Sequence, residues 1–448
     1  ETAFAPFDFI DAGEHVGLNV DLFAEIGKEL GVEIEWVTLP WDGVFPGLES
    51  GKFDMVAGPA TITNDRMKRF RFTSPIAEAT VALLKKTGDD TITIDLDGNT
   101  VGPTSPLNIL DDLTLIGPGS GRFTLDGNGV TRIFTSANHS SGAPTSITVR
   151  GIRLVNGQAT EAGAWRNTAD SLFLHDIRFE NNSATSWRGG ALYNLSGTTT
   201  ITDSVFSGNM ALEGGGAIFN LDGASLAITD STLSNNTALF GGGIANAGTL
   251  TISRSTISDN QSMQNGGGVD SWGPTLSIES STISGNSAGH ADSGSVYTGG
   301  GIQFVNGSGS IVASTISGNS ATFSNGWGGG IAVSGSTAIL QVERSTVSGN
   351  NAWGAGGGIL QWTSGGILTI VGSTIAFNQA VTTDGVGAVG GGIAYGTLTT
   401  LDSTIVSGNT RGSANTPDDL SSYGGTIGAT SSNNLIGDSA TAGGLIDG

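Results

Sequence analysis

A phrase close to Ser-Thr-Ile-Ser-Gly-Asn recurs through much of this chain and restricts its fold more than any other feature. It stands at Ser204–Asn209, Ser231–Asn236, Ser255–Asn260, Ser281–Asn286, Ser314–Asn319, Ser345–Asn350 and Ser373–Asn378. A copy one residue longer is Ser403–Asn409, and a looser one is Ile177–Asn182. The terminal asparagines are 27, 27, 24, 26, 33, 31, 28 and 31 residues apart. A period in this range marks a stack of supersecondary units, each too small to bury its apolar face alone. Between the asparagines falls a second phrase, three glycines or two and an alanine before an apolar residue, as in Gly241–Ile244, Gly299–Ile302 and Gly390–Ile393. A third apolar segment closes each unit, as in Leu250–Ile252 and Leu368–Ile370. Three short strands per repeat, with no helical period, predict a mainly β fold: a parallel β-helix, or solenoid, with one coil per repeat. Like residues then stack about 4.8 Å apart. Ile257, Ile283, Ile316, Val347 and Ile375 are expected to point inward, and the asparagines to form an amide ladder at a turn. Repeat length varies mostly between the asparagine and the glycines, so loops should project from one edge. They carry Trp327, Trp353 and His290, which either mark a binding edge or pack as ordinary loop residues.

Composition divides the chain. Residues 1–90 hold 16 acidic and 8 basic residues, including every lysine, and 9 of the 73 glycines. The remaining residues hold 24 acidic and 10 basic side chains. A boundary is expected between Lys86 and Ile92, giving a unit over 1–88 and the β-helix over 89–448. The net charge of −22 argues against nucleic acid as a partner, since phosphate binding needs clustered basic residues. No apolar run is long enough for a membrane span. The chain has no cysteine, which excludes disulfides and thiolate metal sites. Its start at Glu1, without Met or a leader pattern, reads as a mature form or a fragment.

The first unit alternates helix and strand patterns. Val20–Leu30 is a helix with Gly31 as its C-cap, Val32–Leu39 a strand, and Asp42–Leu48 a short helix. Met55–Ala57 is a buried strand, and Asn64 caps a helix reaching Arg69. Such alternation predicts a mostly parallel sheet. The stretches Glu1–Phe7, Gly17–Phe23, Trp41–Leu48, Ala60–Arg66 and Phe72–Pro75, in this order, resemble the first lobe of bacterial periplasmic amino-acid-binding proteins. These are the family 3 solute-binding subunits of ABC importers. The resemblance implies a free amino acid as ligand. Arg66 would grip its α-carboxylate with a planar fork, and Thr61 would add a hydroxyl. Phe4 and Trp41 would sandwich its side chain, Glu1 would meet its amino group or the polar end of its side chain, and the carbonyl near Pro59 would accept from its ammonium. Phe4 and Trp41 as core aromatics, and Arg66 as a helix-surface charge, stay open as alternatives. The family also has a strand before the Glu1 position and a second lobe. The unit is therefore expected to be a small, incomplete N-terminal α/β lobe, which could also serve as a cap on the solenoid.

The repeats resemble bacterial right-handed parallel β-helix proteins of the polymorphic outer-membrane repeat type. The stretch from Thr404 to Asp438 resembles the tail of the "choice-of-anchor Q" family. That resemblance implies an exported bacterial protein, extracellular, at the cell surface or periplasmic, with a structural or adhesive role and a surface glycan or protein as possible partner. Polysaccharide lyases and hydrolases share such folds, and a hydrolase needs paired carboxylates. Asp203 and Asp230 share one repeat position, but Arg254 follows them, and Asp418–Asp419 lies near the end. All four read as solvated surface acids, so the chain is expected not to be an enzyme, with no cofactor. A metal is not expected either: Asp95–Asn99 begins like a Ca²⁺ loop but places Pro106 where a Glu is needed. Open alternatives are an importer's amino-acid receptor, a polysaccharide lyase or hydrolase, and a chimeric or misassembled fusion.

Overall fold

A computed structural model describes residues 3–4, 7–57, 60, 64–72, 91–94, 99–138, 144–289, 297–321, 326–362, 366–382, 389–422, 424–438 and 440. The chain divides into two compact units, 1–79 and 80–448.

The first unit begins with an antiparallel sheet of β1 (Ala3–Phe4), β2 (Asp8–Asp11) and β3 (Glu14–Val16). Three helices follow: α1 (Leu18–Leu30), α2 (Trp41–Glu49) and α3 (Asn64–Met67). Gly31 ends α1 in the left-handed conformation, φ 67°, and its N–H returns to the Gly27 carbonyl, as its type and position predict. The parallel sheet is not seen among the described residues. Residues 32–40 and 55–57 form no strand, and Val32, Val37 and Met55 are exposed. The physical reason is pairing. A strand exists only when a neighbour completes its ladder, and here the described strands pair as local hairpins.

The second unit is a parallel β-helix of about 12 turns. One coil shows the plan. Thr256–Ser258 runs to a corner at Asn260, Gln261–Ser262 forms a second short strand, and Gly266–Gly268 turn a second corner. Val269–Ser271 forms the third strand, and Thr275–Glu279 returns the chain to the start of the next coil at Ser281. Each strand pairs in register with its equivalents one coil away: Ile257 with Ile283, Ile283 with Ile316, Ile316 with Val347 and Val347 with Ile375. All five are fully buried, so the predicted aliphatic stack is the core. Nearer the start the same row holds Phe179 and Phe206, stacked at 4.5 Å. The neighbouring Thr and Ser of each strand point outward.

Apolar stacking alone leaves the corners unsolved, because a corner N–H lies outside the strand ladders. The asparagines supply the missing partners. Both the backbone N–H and the Nδ2 of Asn260 donate to Oδ1 of Asn286, at 3.0 and 2.9 Å. The same Nδ2 donates back to the Leu233 carbonyl at 3.0 Å. The pattern runs unbroken from Asn182 through Asn209, Asn236, Asn260, Asn286, Asn319, Asn350 and Asn378 to Asn409. These amides are essentially fully buried, and each carries enough bonds to offset its desolvation.

The ladder has a direction, because every rung needs an acceptor on the coil ahead. Beyond Asn409 that acceptor is Asp419, whose Oδ1 takes both the N–H and the Nδ2 of Asn409. Its Oδ2 takes the Asp438 N–H. Asp418 beside it accepts from the Gly390 N–H and the Ser421 hydroxyl. Asp418 and Asp419 are therefore buried, 0% and 1% exposed, and the expectation that they are solvated surface acids is corrected. An acceptor-only side chain suits this position, because Asp419 receives donors from Asn409 on one side and from Asp438 on the other.

The glycine corner is required by geometry. Gly299 has φ +71°, and a Cβ on Gly300 would run into the Gly329 carbonyl oxygen of the next coil. The residue before each ladder Asn is also left-handed, and most copies use Gly, Asn or Asp there. Phe377, at φ +57° and 75% exposed, is the exception.

Three outcomes follow for stability. Asn286→Ala leaves the two Asn260 donors and the Asn319 and Ile257 acceptors short of a partner. It should lower unfolding free energy by about 3 kcal/mol or more in a denaturant titration, while Ser284→Ala on the outer face changes it by less than about 0.5. Asp419→Ala should cost about 1–3 kcal/mol, with the loss of protection from hydrogen exchange concentrated in the last coils. Phe377→Gly should raise stability by about 1 kcal/mol, because glycine adopts that conformation without strain.

Candidate functional site

Of the six residues proposed for the amino-acid site, three lie outside the described residues: Glu1, Pro59 and Thr61. Phe4 ends β1, paired in register with Asp8, and Trp41 opens α2. Arg66 lies on α3, half-buried, with its guanidinium 4.8 Å from the centre of the Phe45 ring on α2. Phe45 in turn meets Phe70 at 5.0 Å. The Arg66 segment is thereby held against the helix that Trp41 begins. Phe45, absent from the proposed site, is one of the residues that Arg66 contacts.

A second set of contacts fixes α1. Gly17, at φ +129°, lets the chain pass close to the Phe7 carbonyl, to which the Asn19 N–H donates. The buried Asn19 Nδ2 donates to the Ala57 carbonyl at 2.5 Å, and its Oδ1 has no partner. The Gly17-Leu-Asn19 phrase therefore ties three segments of the unit together. His15 Nε2 lies 2.7 Å from Asp8 Oδ1, and its ring packs edge-on against Trp36.

On the β-helix, Trp327 stacks on Trp362 at 4.9 Å and packs with Ala332, Ala355, Leu360 and Ala394. Trp353 is half-buried, and His290 lies outside the described residues. Asp230 sits on the surface, paired through both oxygens with Arg254 at 2.8 and 2.7 Å, and those hydrogen bonds hold its carboxyl below the usual range. His175 Nδ1 lies 3.2 Å from Asp203 in the same way between coils. Among the described residues, no group of three His, Cys, Asp or Glu side chains could hold a metal ion. None of their helices is long and apolar enough to cross a membrane.

The outward row of the third sheet departs from this pattern. It runs Tyr193, Phe219, Ala245, Asp270, Gln303, Ala332, Leu360, Ala394, one residue per coil. It is largely buried, although it faces away from the core. Asp270 is 5% exposed, and burial pushes its carboxyl up to about 7. Gln303 is equally buried, and its Oε1 has no partner. The search for acids in the sequence went to the Ser-Thr strands and missed these two. The signal was Val269-Asp-Ser271, where sister coils read Ile-Phe-Asn and Ile-Ala-Asn.

The structure is similar in fold to the A-module of the mannuronan C-5 epimerase AlgE6 from Azotobacter vinelandii. The two share 12% identity with a TM-score of 0.29, covering 79% of this chain and 92% of that one. It is also similar to tailspike protein 3 of bacteriophage CBA120, at 14% identity and TM-score 0.35, covering 96% and 70%. The catalytic domain of an α-1,3-glucanase matches at 11% identity and TM-score 0.22, covering 82% and 70%. The expectation that this chain is not an enzyme is overturned by these neighbours. Likeness at this level shows the fold alone and assigns no reaction.

Curated relatives match about a fifth of the chain. A probable histidine-binding protein of Campylobacter jejuni is 36% identical over 101 residues, 22% of this chain and 40% of that protein. The L-cystine-binding protein TcyJ of Escherichia coli K12 is 35% identical over 106 residues, 23% and 40%. The chain thus spans about 40% of the length of these relatives. The family model of the bacterial extracellular solute-binding proteins, family 3, matches residues 1–344. The chain belongs to the bacterial extracellular solute-binding proteins of family 3, with a solute-binding unit fused to a parallel β-helix.

Proposed function

We propose that the first unit binds a free amino acid and that the β-helix is the rigid body that carries it. The observation that carries this reading is the pairing of Arg66 with Phe45, which brings the arginine's segment to the helix begun by Trp41. A zwitterion needs a cation for its carboxylate, apolar walls for its side chain and an acceptor for its ammonium. Arg66, then Phe4 with Trp41, then Glu1 and the carbonyl near Pro59 supply these in turn, with Thr61 adding a hydroxyl to the carboxylate. The likeness to a probable histidine-binding protein and to an L-cystine-binding protein supports an amino acid as the ligand class. The work of the protein lies outside the cytoplasm, in the periplasm or at the cell surface. A stack of about 12 coils at about 4.8 Å is a rod of roughly 60 Å. Such a rod suits a structural or adhesive role at that location, with a glycan or protein as its partner.

Calorimetry of the full chain against histidine, cystine, lysine, arginine and glutamate tests the proposal. At least one should bind, and Arg66→Ala should weaken it on the order of 100-fold, with Arg66→Lys in between because its ammonium cannot make the paired bonds. No heat with any amino acid, or equal binding in Arg66→Ala, contradicts it.

A further inference from the structure

Asp270 and Gln303 face each other across two adjacent coils, in register in the third sheet, and so stand about 4.8 Å apart at the backbone. Both are nine-tenths or more buried. The Gln303 amide is oriented by its nitrogen, which donates forward to the Ser334 hydroxyl at 3.0 Å. Its oxygen is thereby left without a donor. Among the described residues, the Asp270 carboxyl makes no hydrogen bond or ion pair. On its other flank the same row holds Ala245, which offers nothing polar, and the Gly266 backbone lies against its Cβ. Among the described residues, no Lys, Arg, His or second carboxylate perturbs it, and burial is the cause of its shift. Two acceptors in register with no donor between them form an arrangement that an ionised carboxylate cannot satisfy.

We propose that Asp270 is a neutral carboxylic acid in the folded protein, and that its O–H donates to Gln303 Oε1, making one buried proton a bond between two coils. One proton satisfies both groups and requires no charge in the interior. It also makes this seam of the β-helix sensitive to pH. The folded carboxyl binds its proton more tightly than the unfolded one, whose pKa is about 3.9. The stabilisation is therefore fully present below about pH 3.9 and is lost as pH rises to about 7. Above that, the ionised Asp270 seeks water, and the outer face loosens at this coil while the asparagine ladder on the opposite corner stays intact.

Infrared spectroscopy of the full chain across this pH range is the test, with Asp270→Asn as control. At pH 6 ordinary carboxyls are ionised, so a protonated-carboxyl stretch should persist in the wild type, vanish in Asp270→Asn, and titrate near pH 7. The asparagine amide keeps a donor in place at every pH. Relative to that variant, the wild-type folding constant should fall on the order of 1000-fold between pH 4 and pH 8. Gln303→Leu keeps the carboxyl but removes its acceptor, and should move the stretch toward the free-acid position. Absence of the band at pH 6, its persistence in Asp270→Asn, an unmoved band in Gln303→Leu, or parallel pH profiles would each overturn the proposal.

Discussion

The buried side-chain amide at one corner of each coil is the interaction on which the rest of the β-helix depends. Strands can satisfy one another by stacking, but a corner takes the backbone out of the ladder and into the interior. An amide resolves this because it offers donors and acceptors in one side chain. From Asn209 onward, each ladder asparagine accepts two hydrogen bonds from the coil behind, then donates to the coil ahead and back to a carbonyl. That demand fixes the sequence around it. The distance from the serine to the asparagine is almost invariant, whereas the stretch between the asparagine and the glycines absorbs nearly all the variation in repeat length. The run of asparagines gives way to Asp419, whose carboxylate accepts both Asn409 donors.

A second row of amides runs along the inside of the third sheet, from Asn167 through Asn194 and Asn220 to Asn246 and then Ser271. It stops where the same inward position becomes Phe304 and Val333. That inward position therefore changes along the β-helix, from the asparagines through Ser271 to Phe304, Val333, Gln361 and Tyr395. The outward face of that sheet changes at the same place, where Asp270 and Gln303 interrupt a row that is otherwise apolar. The first unit obeys different rules. Its charge density, its hairpin and its short helices belong to a fold held by local contacts such as Gly17–Asn19 against Phe7 and Ala57.

Much of this was legible in the residues. The isoleucine stack and the asparagine ladder follow from the repeated phrase, since like residues that recur once per coil must coincide once the coils stack. The helix ending at Gly31 follows from its cap. The strands at Val32–Leu39 and Met55–Ala57 were not recoverable, because alternation shows which face a strand would bury and says nothing of whether a neighbour exists to pair with it. Asp418 and Asp419 were misread for a related reason. An acid at the end of a repeat looks like surface until the direction of the ladder is known. Asp270 was missed because a single outward residue breaks no period. In the candidate site, motif order pointed to Arg66, while Phe45, which it contacts, carried no polar signal at all.

The claim that a continuous amide ladder holds the coils together is tested most directly by hydrogen exchange on the intact chain, followed residue by residue at the ladder asparagines. The account predicts that their backbone amides, from Asn182 to Asn409, exchange only through cooperative opening of several coils and share a similar high protection. Rapid, independent exchange at these corners, no slower than at the exposed Thr and Ser of the outer face, would contradict it.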